Sequence, residues 1–177
     1  GFGAHSIKMA QAGAKVTLID IDAAQARKNI QSAIDANIID KEAVEILEVD
    51  FKDLDAKNLP SKIGMVYSQR SIHYILYDIA ESVLKSIFNR MTVDSKIFIS
   101  SAGYYTEYGD TYPDRNKPVK ERFCCVSDNM QKKHGIIHPI VTYSESELCA
   151  LLEDVGFKSE SVISSTFGNI KAVALKR

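Results

Sequence analysis

Short β-branched runs alternate along this chain with longer stretches whose apolar residues recur every three or four positions. The first period fits buried strands and the second fits amphipathic helices. Residues 6–12 have the helical pattern and stop at Gly13, and 15–20 (KVTLID) reads as a strand of a parallel sheet. Asp22 is placed to cap a helix over 23–36 (AAQARKNIQSAIDA), where Ala26, Ile30 and Ile34 share one face. Short strands follow at 45–49 (EILEV), ending at Asp50, and at 64–68 (GMVYS). A helix over 75–91 carries Ile75, Ile79, Val83 and Ile87 as its stripe, and 96–101 (KIFISS) is a fourth strand. After an irregular polar and aromatic stretch, 102–142, the pattern predicts a helix over 145–155 and strands near 161–165 and 171–175. Gly168-Asn169 between those strands suits a hairpin turn.

This order predicts an α/β, Rossmann-like fold: a doubly wound, mostly parallel sheet with a C-terminal antiparallel strand pair. No repeat, low-complexity tract or Pro/Gly/Ser linker interrupts it, so residues 1–177 read as a single domain with 102–142 as an insertion. Gly1-Phe2-Gly3 lies in what reads as a turn between a strand and a helix. The pattern therefore expects one further strand ahead of Gly1, in the centre of the sheet.

Composition narrows the functions. The formal net charge is -1, so no global basic field draws the chain to nucleic-acid phosphates. No apolar run approaches the roughly 20 residues needed to span a bilayer, and no signal-peptide pattern opens the chain, so the expected location is cytoplasmic. Cys124, Cys125 and Cys149 are odd in number and form no Cys-x-x-Cys pair. That argues against a disulfide framework or a structural zinc, and the adjacent pair reads as small buried apolar residues. No metal site is expected.

The candidate chemistry sits at strand ends. A glycine turn opening a helix lets ligand atoms approach the backbone, and the free N–H groups of the first turn favour anions. Gly1 and Gly3 fit that role. Asp20 ends the next strand, where a carboxylate can accept both hydroxyl protons of a ribose. Asp50 ends the strand after that and can accept from an adenine amino group, with Phe51 covering the ring. Ligands of open α/β sheets bind at this carboxyl edge.

At these residues the chain resembles class I S-adenosylmethionine-dependent methyltransferases. GFGAHSIKMAQAGAKVTLIDID looks like the second half of the family's first motif and its acidic second motif. VDF at 49–51, MVYSQRSIHYI at 65–75 and YSESELCALLEDVGF at 143–157 are similar to later landmarks in the same order. The resemblance covers nearly the whole chain except 102–142, and the family's first strand, with its acidic residue and first glycine, is not in this sequence. It implies S-adenosylmethionine as cofactor, with Gly1 and Gly3 bordering the methionine moiety, Asp20 holding the ribose and Ile21 packing on adenine. Asp50 and Phe51 would flank the adenine, and Ser68 and Gln69 would lie beside the sulfonium.

Two other functions compete with methyl transfer. A nicotinamide or flavin oxidoreductase would use Gly-x-Gly-x-x-Gly, but position 6 is Ser6, and no Tyr-x-x-x-Lys is present. A non-catalytic cofactor-binding partner subunit is the other. For the acceptor, the absence of Asn/Asp-Pro-Pro-Tyr and of Pro-Cys, with the near-zero charge, favours a small molecule over nucleic acid. Within 102–142, Tyr104, Tyr105, Tyr108 and Tyr112 fall within nine residues, and this segment is expected to form a substrate lid. Tyr104, Tyr105 and Tyr108 are candidate substrate contacts, and Arg70 is a candidate partner for an acidic group. His73 and His138 are candidate general bases for an acceptor that must lose a proton.

Overall fold

The computed structural model describes residues 1–55 and 57–177. Contacts divide them into two compact units, Gly1–Leu54 and Asp55–Arg177, where the pattern alone reads one domain.

The first unit contains α1 (Ala4–Gln11), β1 (Val16–Asp20), α2 (Ala24–Asp35) and β2 (Val44–Glu48), followed by a 3-10 turn at Phe51–Asp53. The strands pair in parallel, with Val16 opposite Val44 and Asp20 opposite Glu48. Leu18 points into a core of Ala10, Ala26, Ile30, Ala33 and Ile39, and Ile34 packs at its edge. Gly13 ends the first helix region with a φ of 89°, a left-handed conformation that glycine adopts without a Cβ clash. Asp22 does not cap α2 by the expected geometry. The cap position is Ala23, and Asp22 Oδ1 accepts the Ala24 N–H at 3.0 Å from one residue earlier.

The second unit holds β3 (Ile63–Gln69), α3 (Tyr77–Arg90), β4 (Met91–Ser101), α4 (Asp128–His134), α5 (Glu145–Val155), β5 (Lys158–Ser164) and β6 (Ile170–Leu175). Its sheet runs β3-β4-β6-β5. β3 and β4 are parallel, while β6 is antiparallel to both β4 and β5. The hairpin puts its second strand inside the sheet, so antiparallel pairs are as many as parallel ones among the described strands. This corrects the expectation of a mostly parallel sheet. The fold is an α/β fold with mixed sheets.

Helix α5 packs on β5, β6 and α3, burying Leu148, Leu151, Leu152 and Val155. Each such side chain contributes about 1.5–3 kcal/mol through burial. Ile97, Ile99, Ile170, Ala172 and Ala174 form the buried side of the sheet. The α3 stripe is Tyr77, Ala80, Val83, Leu84 and Ile87. Ile79 is exposed and Ile75 precedes the helix, because helical phase starts at Tyr77 rather than at 75. No helix among the described residues is long and apolar enough to cross a membrane.

Segment 102–142 is not irregular throughout. It contains a 3-10 turn at Val119–Glu121 and helix α4, and a bridge joins Cys124 to Ile140. Ala102, Tyr108, Tyr112, Val126, Ile136 and Ile140 form a cluster of their own. Arg122 fastens the segment to α5. Its buried guanidinium directs all five N–H groups at acceptors: the Glu147 carboxylate at 2.9 and 3.0 Å, the Thr142 carbonyl at 2.8 Å, and the Lys117 carbonyl at 2.8 and 3.1 Å. Glu147 also closes a capping box with Ser144. The adjacent cysteines do not occupy the core as expected: Cys125 is exposed and Cys124 half-buried, and both, like the half-buried Cys149, are free thiols.

Candidate functional site

In the first unit, the glycine turn opens α1 and Asp20 ends β1. Gly3 is the N-cap of α1 with a φ of 80°, so an L side chain there would be strained. Asp20 Oδ1 accepts the Asp22 N–H at 3.1 Å. Phe2 and Ile21 stand 71% and 67% exposed beside this turn and strand end. At the end of β2, Asp50 caps the 3-10 turn by accepting the Lys52 N–H at 3.1 Å, and pairs with the Lys52 ammonium at 3.1 Å. Burial pushes its carboxyl up, but these contacts outweigh that and hold it below the usual range. Phe51 beside it is half-buried.

In the second unit, Ser68 and Gln69 end β3 and Arg70 follows them. The Ser68 hydroxyl oxygen is buried without a hydrogen-bond partner. Gln69 is exposed and accepts a long 3.5 Å bond from the Tyr67 hydroxyl. Arg70 turns into the left-handed region at φ 52°, and its N–H reaches the Ser100 carbonyl at 2.9 Å and hydroxyl at 3.2 Å. Gln69, Ser100 and Lys171 are successive register partners across β3, β4 and β6, so they share one face. Together with Arg70 and the β5–β6 turn they line a pocket of about 210 Å³.

The turn is held closely. Ser165 donates its N–H to the Asn169 carbonyl at 2.8 Å, and Gly168 has a φ of 77°. A Cβ on Gly168 would lie 2.2 Å from the Tyr105 carbonyl oxygen, and one on Gly103 would lie 1.7 Å from the Gly168 carbonyl oxygen. The turn therefore seats against 103–105 only because both residues lack side chains.

No protein-family model matches the sequence, and no curated protein matches it. Solved structures do match. A methyltransferase from Methanosarcina mazei superposes with a TM-score of 0.73 at 17% identity, over 99% of this chain and 88% of that one. One from Mesorhizobium loti gives 0.73 at 14% identity, over 99% and 87%. The 1,6-didemethyltoxoflavin-N1-methyltransferase of Burkholderia thailandensis, solved with 1,6-didemethyltoxoflavin and S-adenosylhomocysteine bound, gives 0.71 at 16% identity, over 99% and 67%. The fold is that of S-adenosylmethionine-dependent methyltransferases.

On this methyltransferase fold the two candidate bases occupy different environments. His73 is buried, its Nδ1 accepts the Ala102 N–H at 3.3 Å, and its carbonyl accepts the Val141 N–H at 2.8 Å. Burial first, and the Arg70 charge second, lower its pKa to about 3. With that nitrogen occupied and so low a proton affinity, His73 is a joint between β3, β4 and the segment after them, not a base. His138 is exposed.

The tyrosines also separate. Tyr108 and Tyr112 are core residues of the segment, which corrects Tyr108 as a substrate contact. Tyr104 is half-buried with the Arg115 and Arg122 guanidiniums over its ring at 4.5 and 5.2 Å. Tyr105 is 70% exposed. The pocket residues Ser100, Asn169 and Lys171, and the Arg122 clamp, escaped sequence reasoning. Gly168-Asn169 marked the turn, but nothing local announces that β6 inserts beside β4.

Proposed function

We propose that this chain binds S-adenosylmethionine and transfers its methyl group to a small-molecule acceptor. One observation carries the reading: a left-handed glycine turn opens α1 and Asp20 ends the strand that follows, on a fold shared with enzymes of that reaction. The residues fit the cofactor. Gly3 supplies the left-handed turn, Asp20 a ribose acceptor, exposed Ile21 an apolar surface for adenine, and Asp50 with Phe51 a polar and an aromatic adenine neighbour. The partnerless Ser68 hydroxyl, with Gln69, is assigned to the sulfonium end.

When bound, the cofactor supplies an electrophilic methyl group on a sulfonium. The chain's own contribution is alignment and exclusion of water. Tyr105 and Tyr104 are assigned to the acceptor, on a segment 102–142 that covers it, and Arg70 to an acidic group on it. His138 is assigned to accept a proton where the acceptor must lose one. The acceptor is expected to have a flat face suited to tyrosine.

Isothermal calorimetry with S-adenosylhomocysteine tests the reading. Binding is expected, and Asp20→Ala is expected to weaken it by about 1.5–3 kcal/mol, the range for hydrogen bonds to a charged group. Unchanged affinity in a folded Asp20→Ala protein removes the ribose assignment.

A further inference from the structure

We infer that the pocket at the ends of β3, β4 and β6 binds the anionic group, carboxylate or phosphate, of the small molecule that this protein methylates. The inference rests on the methyl-transfer reading and adds the chemical class of the acceptor. Arg70 and Lys171 both line the pocket, no acidic residue does, and neither cation has an ion-pair partner among the described residues. Such cations beside a concave surface attract an anion, and the guanidinium fork matches carboxylate or phosphate oxygens.

The neighbouring groups complete the preference. The Asn169 amide can donate, and Ser100, whose oxygen already accepts from the Arg70 N–H, keeps its own proton to donate. At about 210 Å³ the pocket falls below the roughly 300–1,000 Å³ that takes a whole drug-sized ligand. It therefore suits one end of a molecule whose remainder lies outside. Phe167, 82% exposed at the rim, offers that remainder an apolar surface.

The site is also rigid. Arg70 holds a left-handed backbone that residues bearing a Cβ rarely adopt, and it is pinned by Ser100. Strain of this kind persists where the surroundings enforce it, and it gathers at ligand sites. The opposite wall is the β5–β6 turn, fixed by its own hydrogen bonds and by the Gly168–Tyr105 packing. The backbone that carries the pocket's donors is therefore fixed before any ligand arrives.

The test uses the full chain labelled with ¹⁵N and titrated with benzoate, inorganic phosphate and, as the neutral control, benzamide. Saturable shifts of the Arg70, Ser100, Asn169 and Lys171 amides are expected with benzoate or phosphate, and whichever binds more tightly identifies the anion. Affinity should fall at least fivefold in Arg70→Gln and in Lys171→Gln, whose exposed side chains leave the melting temperature unchanged. Equal shifts with benzamide, or unchanged affinity in both variants, would overturn the inference. So would displacement of the anion by S-adenosylhomocysteine, which would assign the site to the cofactor's own carboxylate. Calorimetry with S-adenosylhomocysteine on the same sample separates the two readings. Cofactor binding without anion binding defeats the pocket alone, whereas anion binding without cofactor binding defeats methyl transfer and the acceptor role with it.

Discussion

His73 shows how a residue legible as chemistry in the sequence becomes structural in the fold. A histidine soon after a strand end is a fair candidate base, but periodicity does not reveal that its Nδ1 meets the Ala102 N–H in a buried site. Its environment makes a pH prediction. Burial lowers the folded-state pKa to about 3 from 6.5, so between those values the unfolded chain binds the extra proton. Stability should therefore be fully present above pH 6.5 and fall as pH drops towards 3, by roughly 1 kcal/mol per pH unit from this residue. Urea denaturation of the parent and of His73→Gln, whose amide oxygen can still accept from Ala102, checks it. The variant should show a shallower loss between pH 6 and 4, and parallel curves would contradict the assignment. Asp20, by contrast, was readable, because its place at the end of a β-branched run follows from local pattern alone. Tyr104, Tyr105, Tyr108 and Tyr112 were readable as a group but not one by one. Which of them turn inward depends on partners such as Val126 and Ile140, distant in sequence.

At the scale of elements, the strands and helices were mostly visible, since each buries one face against its neighbours and so repeats at its own period. What escaped was how segment 102–142 is held. Arg122 satisfies all five of its donors and meets the same Glu147 that caps α5, so segment and helix share one polar joint. A lone arginine between a glutamate and a phenylalanine carries no local mark of that role. Arg122→Ala should cost about 3 kcal/mol, because it leaves carbonyls and a partly buried carboxylate unpaired. A drop in urea midpoint with unchanged slope is the expected readout. A loss under 1 kcal/mol would mean that water replaces the guanidinium. The β5–β6 turn makes a second prediction. Gly103→Ala places a methyl against the Gly168 carbonyl, so the turn must move, at a cost of about 1–3 kcal/mol. The variant should also weaken benzoate or phosphate binding, since Asn169 and Phe167 move with the turn. At this scale the lid reading takes a milder test than deletion, which would remove the Tyr112 core and the Arg122 anchor together. Tyr105→Ala takes away an exposed ring, so it should lower methyl transfer at least tenfold, by about 1.4 kcal/mol, while leaving stability and S-adenosylhomocysteine affinity unchanged. Unaltered turnover would leave the ring without a part in acceptor binding.

The whole molecule shows where sequence reading ends for a physical reason. Alternating strand and helix periods established the α/β class, and Gly168-Asn169 announced the hairpin, but strand order is decided by pairings between residues far apart. Ser100 pairs with Lys171, seventy-one positions on, and no local pattern encodes it. Division into two compact units likewise has no linker composition to announce it. The cofactor assignment takes a thermal test on the full chain. A ligand that binds only the folded state stabilises what it touches, by about 2.7 kcal/mol at one hundred times its Kd. For a chain of this length that raises the melting temperature by roughly 5–10 °C. S-adenosylhomocysteine should produce this shift in a calorimetric scan, and NAD and FAD should produce none. A shift with NAD or FAD and none with S-adenosylhomocysteine would replace methyl transfer with oxidoreductase chemistry on the same fold.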